Sequence, residues 1–272
     1  MNPIILFRGG YERDEEKLIA EKYFPVTDSR IRIQGSHTGF DDCVVIGRYS
    51  VLPFYEELER DLRMQGARLI NSNLEHQYIA NMDYYEDLKE FTAETWFRLD
   101  QVPKDSGPWV LKGRTNSRKL QWATHMKAET WEDLVRIYIE LSNDPLLGQQ
   151  GIVIRKFLDF EIVEEGISQP FFNEWRFFVY KGEILSYGWY WSSAEKVGTL
   201  DAAGIALVLK IAKIIRDKVP FAVIDIGKLA TGEWKLIELN DGQMSGLSEN
   251  LPEILYQNLA KALEKETFLV GL

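Results

Sequence analysis

Cysteine is almost missing from this chain. Cys43 stands alone, so no internal disulfide can form, and there is no paired CxxC or second thiol from which a thiolate zinc site could be built. The natural setting this predicts is a reducing cytoplasm. Histidine is scarce too: His37, His76 and His125 lie far apart and read as structural or exposed side chains rather than a metal triad or a nucleophile–base pair. Nine prolines in 272 residues, with 45% hydrophobic and 27% charged side chains, exclude a collagen-like or disordered chain and predict a folded one throughout. No stretch approaches the ~20 apolar residues that cross a bilayer. The apolar run behind Met1 is too short, and lacks the preceding basic residues, for a secretory signal. A soluble protein with no membrane partner is expected. Basic residues are also in deficit, 32 against 42 acidic for a formal charge of −10. The surface as a whole therefore repels a polyanion, and nucleic acid is not an expected partner.

What is present divides into three blocks when strands and helices are read from their hydrophobic period. In the first, Ile4–Phe7, Cys43–Ile46 and Arg68–Ile70 read as strands. Between the last two, Pro53 stands at a plausible first helical position, with Phe54, Leu58 and Leu62 recurring every four residues. The second block begins at Gly107-Pro-Trp-Val-Leu-Lys-Gly113, breaks at the polar stretch 114–119 and resumes at Leu120–Met126, which reads as a hairpin. Thr130-Trp-Glu-Asp133 then opens a helix carrying Leu134, Ile137, Tyr138 and Leu141, and a strand over Gly151–Phe160 follows. The third block has the strongest hairpin signal, Glu174–Tyr180, a Lys181-Gly182 turn, and Glu183–Trp191. A helix from Asp201 to Lys218 is expected to bury Ile205, Leu209, Ala212 and Ile215. Beyond a second hairpin, Phe221–Ile226 with Trp234–Leu239, lies a last helix bearing Leu251, Ile254, Leu255 and Leu259.

That second hairpin carries the chemistry. Residues two apart on a strand share a face, so Val223 goes with Asp225, and Leu236 with Glu238 and Asn240. If Thr231-Gly232 forms a two-residue turn, Asp225 lies directly opposite Glu238. Facing carboxylates repel, so the pair requires a compensating cation or a raised pKa; alternatively, both acids sit at a solvated strand end. An oxygen-only donor set of two acids and an amide suits Mg²⁺, which typically takes one or two carboxylates together with substrate phosphates.

The stretch Phe221-Ala-Val-Ile-Asp225 with Leu236-Ile-Glu-Leu-Asn-Asp-Gly242 resembles the metal-binding hairpin of the ATP-grasp superfamily. Val110-Leu-Lys112-Gly is similar to the strand whose lysine contacts nucleotide phosphates, Ile152-Val-Ile-Arg155-Lys156-Phe157 to the strand joining the two lobes along the adenine, and Glu174-Trp-Arg176-Phe-Phe-Val to the first hairpin of the second lobe. The set Lys112, Arg155 and Arg176 most resembles a divergent clade that includes the eukaryotic chaperone for assembly of translation initiation factor 2 and bacterial and phage members of unassigned substrate. The resemblance implies an α/β (α+β lobes) fold. A small N-terminal α/β domain over 1–84 would precede an N-lobe over 85–156 and a C-lobe over 157–272, with ATP held between the lobes. It implies magnesium on Asp225, Glu238 and Asn240. It places Lys112, Ser117, Lys119, Arg155, Lys156, Phe157 and Arg176 on the nucleotide, with Lys112, Arg155 and Arg176 as the catalytic cations.

Each of these side chains also has a plainer reading. Lys112 could be an edge lysine, Arg176 could stack on its aromatic neighbours or offer its fork to phosphate or a substrate carboxylate, and Ser117 and Lys119 could be polar only because they sit in a hairpin tip. Trp189, Tyr190 and Trp191 read as sheet packing or as an aromatic wall, while Gln243 and Ser245, just past the metal motif, are placed to meet an acceptor. The implied activity is carboxylate–amine ligation through an acylphosphate, with unidentified carboxylate and amine substrates, peptide or protein among the options. Phosphoryl transfer needs charge neutralisation rather than a nucleophile, which matches this residue set. An ATP-binding assembly factor with little or no ligase activity is the alternative, and a plain structural α/β domain a third.

Overall fold

The computed structural model describes residues 2–8, 15–29, 42–115, 126–167 and 169–270. Three sheets organise it. The first is fully parallel, in the order β2 (Val26–Ser29), β1 (Asn2–Arg8), β3 (Cys43–Gly47), β4 (Arg68–Leu69). Its strands alternate cleanly between two cores. Leu6, Cys43 and Val45 pack with Tyr55, Leu58 and Leu62 of helix α2 (Tyr55–Arg63), whereas Ile5, Phe7, Val44 and Ile46 face the C-terminal half of the chain. Helix α2 begins beyond Pro53, with Phe54 as its N-cap residue, so Pro53 is outside the helix rather than in its first turn. Helix α1 (Glu15–Ala20) and β2 carry no clear period and are not anticipated. Ser72 caps helix α3 (Asn73–Ala80) in a reciprocal capping box with Glu75; that Ser-x-x-Glu signal is legible in the sequence. Helix α4 (Tyr84–Leu88) follows.

The second sheet is antiparallel, in the order β5 (Thr95–Trp96), β8 (Ile152–Lys156), β6 (Trp109–Gly113), β7 (Lys127–Ala128). Helices α5 (Trp131–Ser142), capped by Thr130 as expected, and α6 (Leu147–Gln150) cover it. The strand expected over Gly151–Phe160 ends at Lys156; Phe160 makes only an isolated bridge to Leu229. A two-stranded pair, β9 (Ile162–Glu164) with β10 (Phe171–Phe172), stands beside the cleft.

The third sheet runs β12 (Glu183–Trp189), β11 (Glu174–Tyr180), β13 (Phe221–Lys228), β14 (Trp234–Asp241), all antiparallel. Lys181 and Gly182 both have positive φ, 44° and 88°, which is the primed turn that suits the twist of a tight hairpin. One sheet face packs on α7 (Ala202–Ile215) together with α3 and α4. The other packs on α8 (Pro252–Val270), which lies between this sheet and the parallel one through Leu255, Tyr256 and Leu259. The stripe that α7 buries is Gly204, Val208, Ile211, Ala212 and Ile215; Leu209 is exposed. This corrects the expected face. The helix is apolar nearly all round, so its period does not select a side, and Gly204 is chosen because a side chain there would meet Leu200 and Trp234. Likewise Leu251 and Ile254 are exposed, while Leu255 and Leu259 are buried. Among the described residues no helix is long and apolar enough to cross a membrane.

Candidate functional site

Across the third sheet, at the end away from the Lys181-Gly182 turn, ionised residues line up strand by strand. Arg176 pairs with Asp225, and Asp225 with Glu238. Arg176 donates through Nε and Nη2 to Asp225 Oδ1 and Oδ2 at 2.9 and 2.8 Å. Lys112, arriving from the second sheet, donates to Glu238 Oε2. Asn240 sits diagonally and donates its Nδ2 to Asp225 Oδ2 at 3.1 Å and Glu238 Oε1 at 3.2 Å. The two facing carboxylates are thus each matched by a cation, which answers the repulsion inherent in the pairing. Burial works against charge on Arg176, yet the Asp225 carboxylate beside it holds the guanidinium above its ordinary pKa. Arg176 also donates to the Gly246 carbonyl at 2.9 Å and lies over the Tyr190 ring at 4.8 Å. Its fork, expected to meet either neighbouring rings or a ligand, therefore serves an internal acid and stacks at once.

Asp225 faces Glu238 as the sequence predicts, but by a different route. The turn is not the two-residue Thr231-Gly232 one. Leu229 and Glu233 close a three-residue loop, with Gly232 at φ 91°, the common form in which glycine takes the left-handed position. From there the partners run Lys228 with Trp234, Gly227 with Lys235 and Ile226 with Leu236, one out of step with the expected register. A bulge at Ile237 restores it, so that Asp225 meets Glu238 and Val223 meets Asn240. The bulge also corrects a face. Leu236 does not share one with Glu238; it packs with Leu239 in the core beneath α7, and Glu238 and Asn240 point to the opposite side, with Asp225.

The bulge is held from outside the sheet. Thr92 Oγ donates to the Leu236 carbonyl at 2.7 Å, the Leu236 amide donates to Phe91 O at 2.8 Å, and Arg155 Nη1 donates to the Ile237 carbonyl at 2.5 Å. Arg155 Nη2 donates to Thr92 Oγ at 2.5 Å. Arg155, expected on the nucleotide, thus has both terminal nitrogens on protein groups, while its Nε is buried without a partner. No feature of the sequence singles out Thr92 or marks the bulge.

Between the second and third sheets lies a cleft of about 840 Å³, open to solvent on one side, with Val110, Lys112, Phe157, Phe172, Trp191 and Glu238 among its walls. Arg155 and Lys156 also line it. The space is largely apolar, with charged groups at one end, the usual form of a small-molecule site. Trp191 is therefore an aromatic wall, anchored by its indole on Phe172 O at 3.1 Å, whereas Trp189 is buried. Ser117, Lys119, His37 and His125 lie outside the described residues. Gln243, expected to meet an acceptor, is instead buried. Its side chain joins Tyr55, Asn71 O and the Gly47 amide, and Ser245 donates to Asp241 O at 2.7 Å. His76 is structural: its Nδ1 lies 3.1 Å from Asp241 Oδ2 and its ring stacks on Tyr55 at 4.4 Å.

Among the described residues no three His, Cys, Asp or Glu side chains gather as a metal centre. What does gather is two carboxylates and an amide, all oxygen donors, with Asn240 Nδ2 already turned to both acids so that its Oδ1 is directed elsewhere. That donor set fits magnesium, which completes its shell with waters and phosphates rather than an all-protein cage.

The fold and this arrangement together define an ATP-grasp protein: two lobes enclosing a cleft, with the acidic hairpin at its mouth. Residues 98–259 match a family described as an ATP-grasp domain, family 3 of its clade, and the chain belongs to that family. No curated protein matches the sequence. Among solved structures the chain is similar in fold to D-cycloserine synthetase DcsG, at a TM-score of 0.60 and 12% identity over 96% of this chain and 100% of that one. D-alanine–D-alanine ligase from Bacillus anthracis, complexed with ATP, gives 0.56 and 13% over 98% and 99%. The ATP-grasp ligase PsnB, complexed with minimal precursor, Mg and ADP, gives 0.60 and 11% over 96% and 98%.

Proposed function

We propose that the chain is a Mg-ATP-dependent ligase that joins a carboxylate to an amine, with ADP and phosphate as the other products. The observation that carries this reading is the row Arg176, Asp225, Glu238 and Lys112, with Asn240, at the polar end of an interlobe cleft in a chain of the ATP-grasp family. Asp225, Glu238 and Asn240 would hold magnesium, and Val110, Phe157 and the neighbouring wall would take the adenine. Bound there, Mg-ATP supplies the phosphoryl group that activates the carboxylate as an acylphosphate.

The chain's own residues bind and neutralise. Lys112 is one hydrogen bond from Glu238 and stands where a polyphosphate would enter, so turning its ammonium from Glu238 to phosphate oxygen exchanges one anionic partner for another. That leaves Glu238 free to accept a metal charge in place of the lysine. Arg176 keeps Asp225 ionised and fixed in orientation, and its terminal nitrogens retain N–H groups beyond those already used. Lys156 adds a further positive charge on the cleft wall. Loss of charge repulsion in a water-poor cleft is the larger part of catalysis for phosphoryl transfer. The substrates fit the structural relatives, whose names describe synthesis of D-cycloserine, D-alanyl-D-alanine ligation and action on a peptide precursor.

The test is product analysis. The protein, given ATP, Mg²⁺ and mixed pools of amino acids and short peptides, should release ADP and phosphate in step with a new amide detected by mass spectrometry. AMP with pyrophosphate would indicate adenylation and contradict the reading, and tight ATP binding with no turnover across such pools would favour an assembly factor.

A further inference from the structure

We infer that Arg155 and Thr92 act as one clamp that sets the register of the metal-binding strand, making both of them positioning residues rather than ligand contacts. The inference rests on the reading above that Glu238 and Asn240 hold magnesium.

Unaided, the strand would run on in its first register. From the turn, β14 pairs with β13 so that Asp225 would face Ile237 and Ile224 would face Glu238. A one-residue slip sends every later side chain to the other face. Without the bulge, Glu238 would share the face of Leu236, which packs in the apolar core with Ile224 and Ile226. Its carboxylate would enter that core while Asp225 lost both its opposite acid and its amide neighbour. The bulge at Ile237 is therefore the condition for the site to exist.

Bulges leave a residue outside the ladder, and its polar groups need partners elsewhere. Here the two successive carbonyls are met by one hydrogen-bonded unit, Leu236 O by Thr92 and Ile237 O by Arg155, with Arg155 also bound to Thr92. A planar guanidinium suits this because its nitrogens are rigidly spaced; lysine offers one point of charge and cannot bridge the hydroxyl and the carbonyl in the same way. Arg155 belongs to β8, the strand whose neighbour β6 supplies Lys112, so the clamp ties the first lobe to the bulge of the second. Both side chains are buried, and Thr92 is not among the residues that line the cleft.

The test uses the full chain with Thr92→Val, Arg155→Met and the double variant. A fluorescent ATP analogue is titrated in EDTA and with increasing Mg²⁺, alongside hydrogen exchange of peptides spanning 234–241. A clamp predicts that each single variant raises the half-saturating Mg²⁺ about tenfold or more, as loss of groups that orient metal ligands commonly does. Metal-free affinity should change by less than about twofold, and the double variant should be little worse than Arg155→Met, since partners in one network are not additive. Exchange over 234–241 should rise in both singles. Loss of metal-free affinity in Arg155→Met with a silent Thr92→Val would make Arg155 a nucleotide contact and overturn the inference, as would wild-type exchange and Mg²⁺ response in both. Should Arg155→Met not fold, Thr92→Val carries the same decision. Glu238→Gln separates the two readings: if it leaves the Mg²⁺ response intact the metal assignment fails, while exchange still decides the clamp.

Discussion

At Asp225 two requirements meet in one side chain. It is fully buried and takes a two-pronged hydrogen bond from Arg176, and it is also the acid that the metal reading places at the centre. From sequence alone, neutralising either facing acid should relieve repulsion and leave metal-free stability level or higher. The structure reverses this for Asp225, because the compensating cation is built in. Asp225→Asn leaves a buried guanidinium without its carboxylate, a change that costs on the order of 3–5 kcal/mol. Glu238→Gln is expected to be far milder: Glu238 is less enclosed, and glutamine's oxygen can still accept from Asn240 and Lys112. Urea denaturation in EDTA checks the order, and equal losses for the two variants would contradict it. Because the acid–cation pairing depends on a lysine from another sheet and an arginine on the neighbouring strand, neither partner could be assigned from the sequence, although both residues stood out in it.

At the scale of elements, Asp201 is the most exacting case. It caps α7 through the Ala203 and Gly204 amides and also takes the Trp234 indole at 2.8 Å and Lys228 at 3.1 Å. Asp201→Ala should cost about 1 kcal/mol, the ordinary value of an N-cap, and Asp201→Asn less. Although partial burial opposes ionisation, the Gly204 amide, Lys228 and Trp234 hold the carboxyl below its usual range. A depressed folded pKa contributes stability above the unfolded value and loses it as pH falls through the folded one. The wild type's advantage over Asp201→Asn should therefore be level at neutral pH and shrink below about pH 4. A constant difference down to acid unfolding would contradict this.

Much at this scale was legible in the sequence. Both hairpins, the Thr130 and Asp201 helix starts and the strand at Ile4–Phe7 follow from alternation, turn residues and caps. The bulge at Ile237 does not, because Trp234–Asp241 offers apolar residues on either alternation until Phe91, Thr92 and Arg155 choose between them. The buried face of α7 was hidden for a related reason: a helix apolar all round has no preferred side until a neighbour, here Trp234 against Gly204, provides one.

In the whole molecule the parallel sheet is not an appendage. Asp241, one residue past Asn240, accepts from Asn71, Tyr55 and the Gln243 amide, with His76 at 3.1 Å. Buried Arg48 pairs with Glu16 at 2.7 Å and donates to the Gly242 carbonyl, with Tyr256 on the same acid. The metal-bearing strand is thus held at its bulge by the first lobe and at its end by the parallel sheet, so its donors are positioned before any ligand arrives. A ligand bound only by the folded protein should then raise its stability by about 2.7 kcal/mol at a hundredfold excess over Kd, seen as a rise in Tm with Mg-ATP. The most direct test of the central claim is calorimetric titration of ATP into wild type and Glu238→Gln, each with Mg²⁺ and with EDTA. The account predicts that Mg²⁺ strengthens ATP binding to wild type and that Glu238→Gln loses most of this gain while its EDTA affinity is kept. An equal gain from Mg²⁺ in both proteins would contradict it.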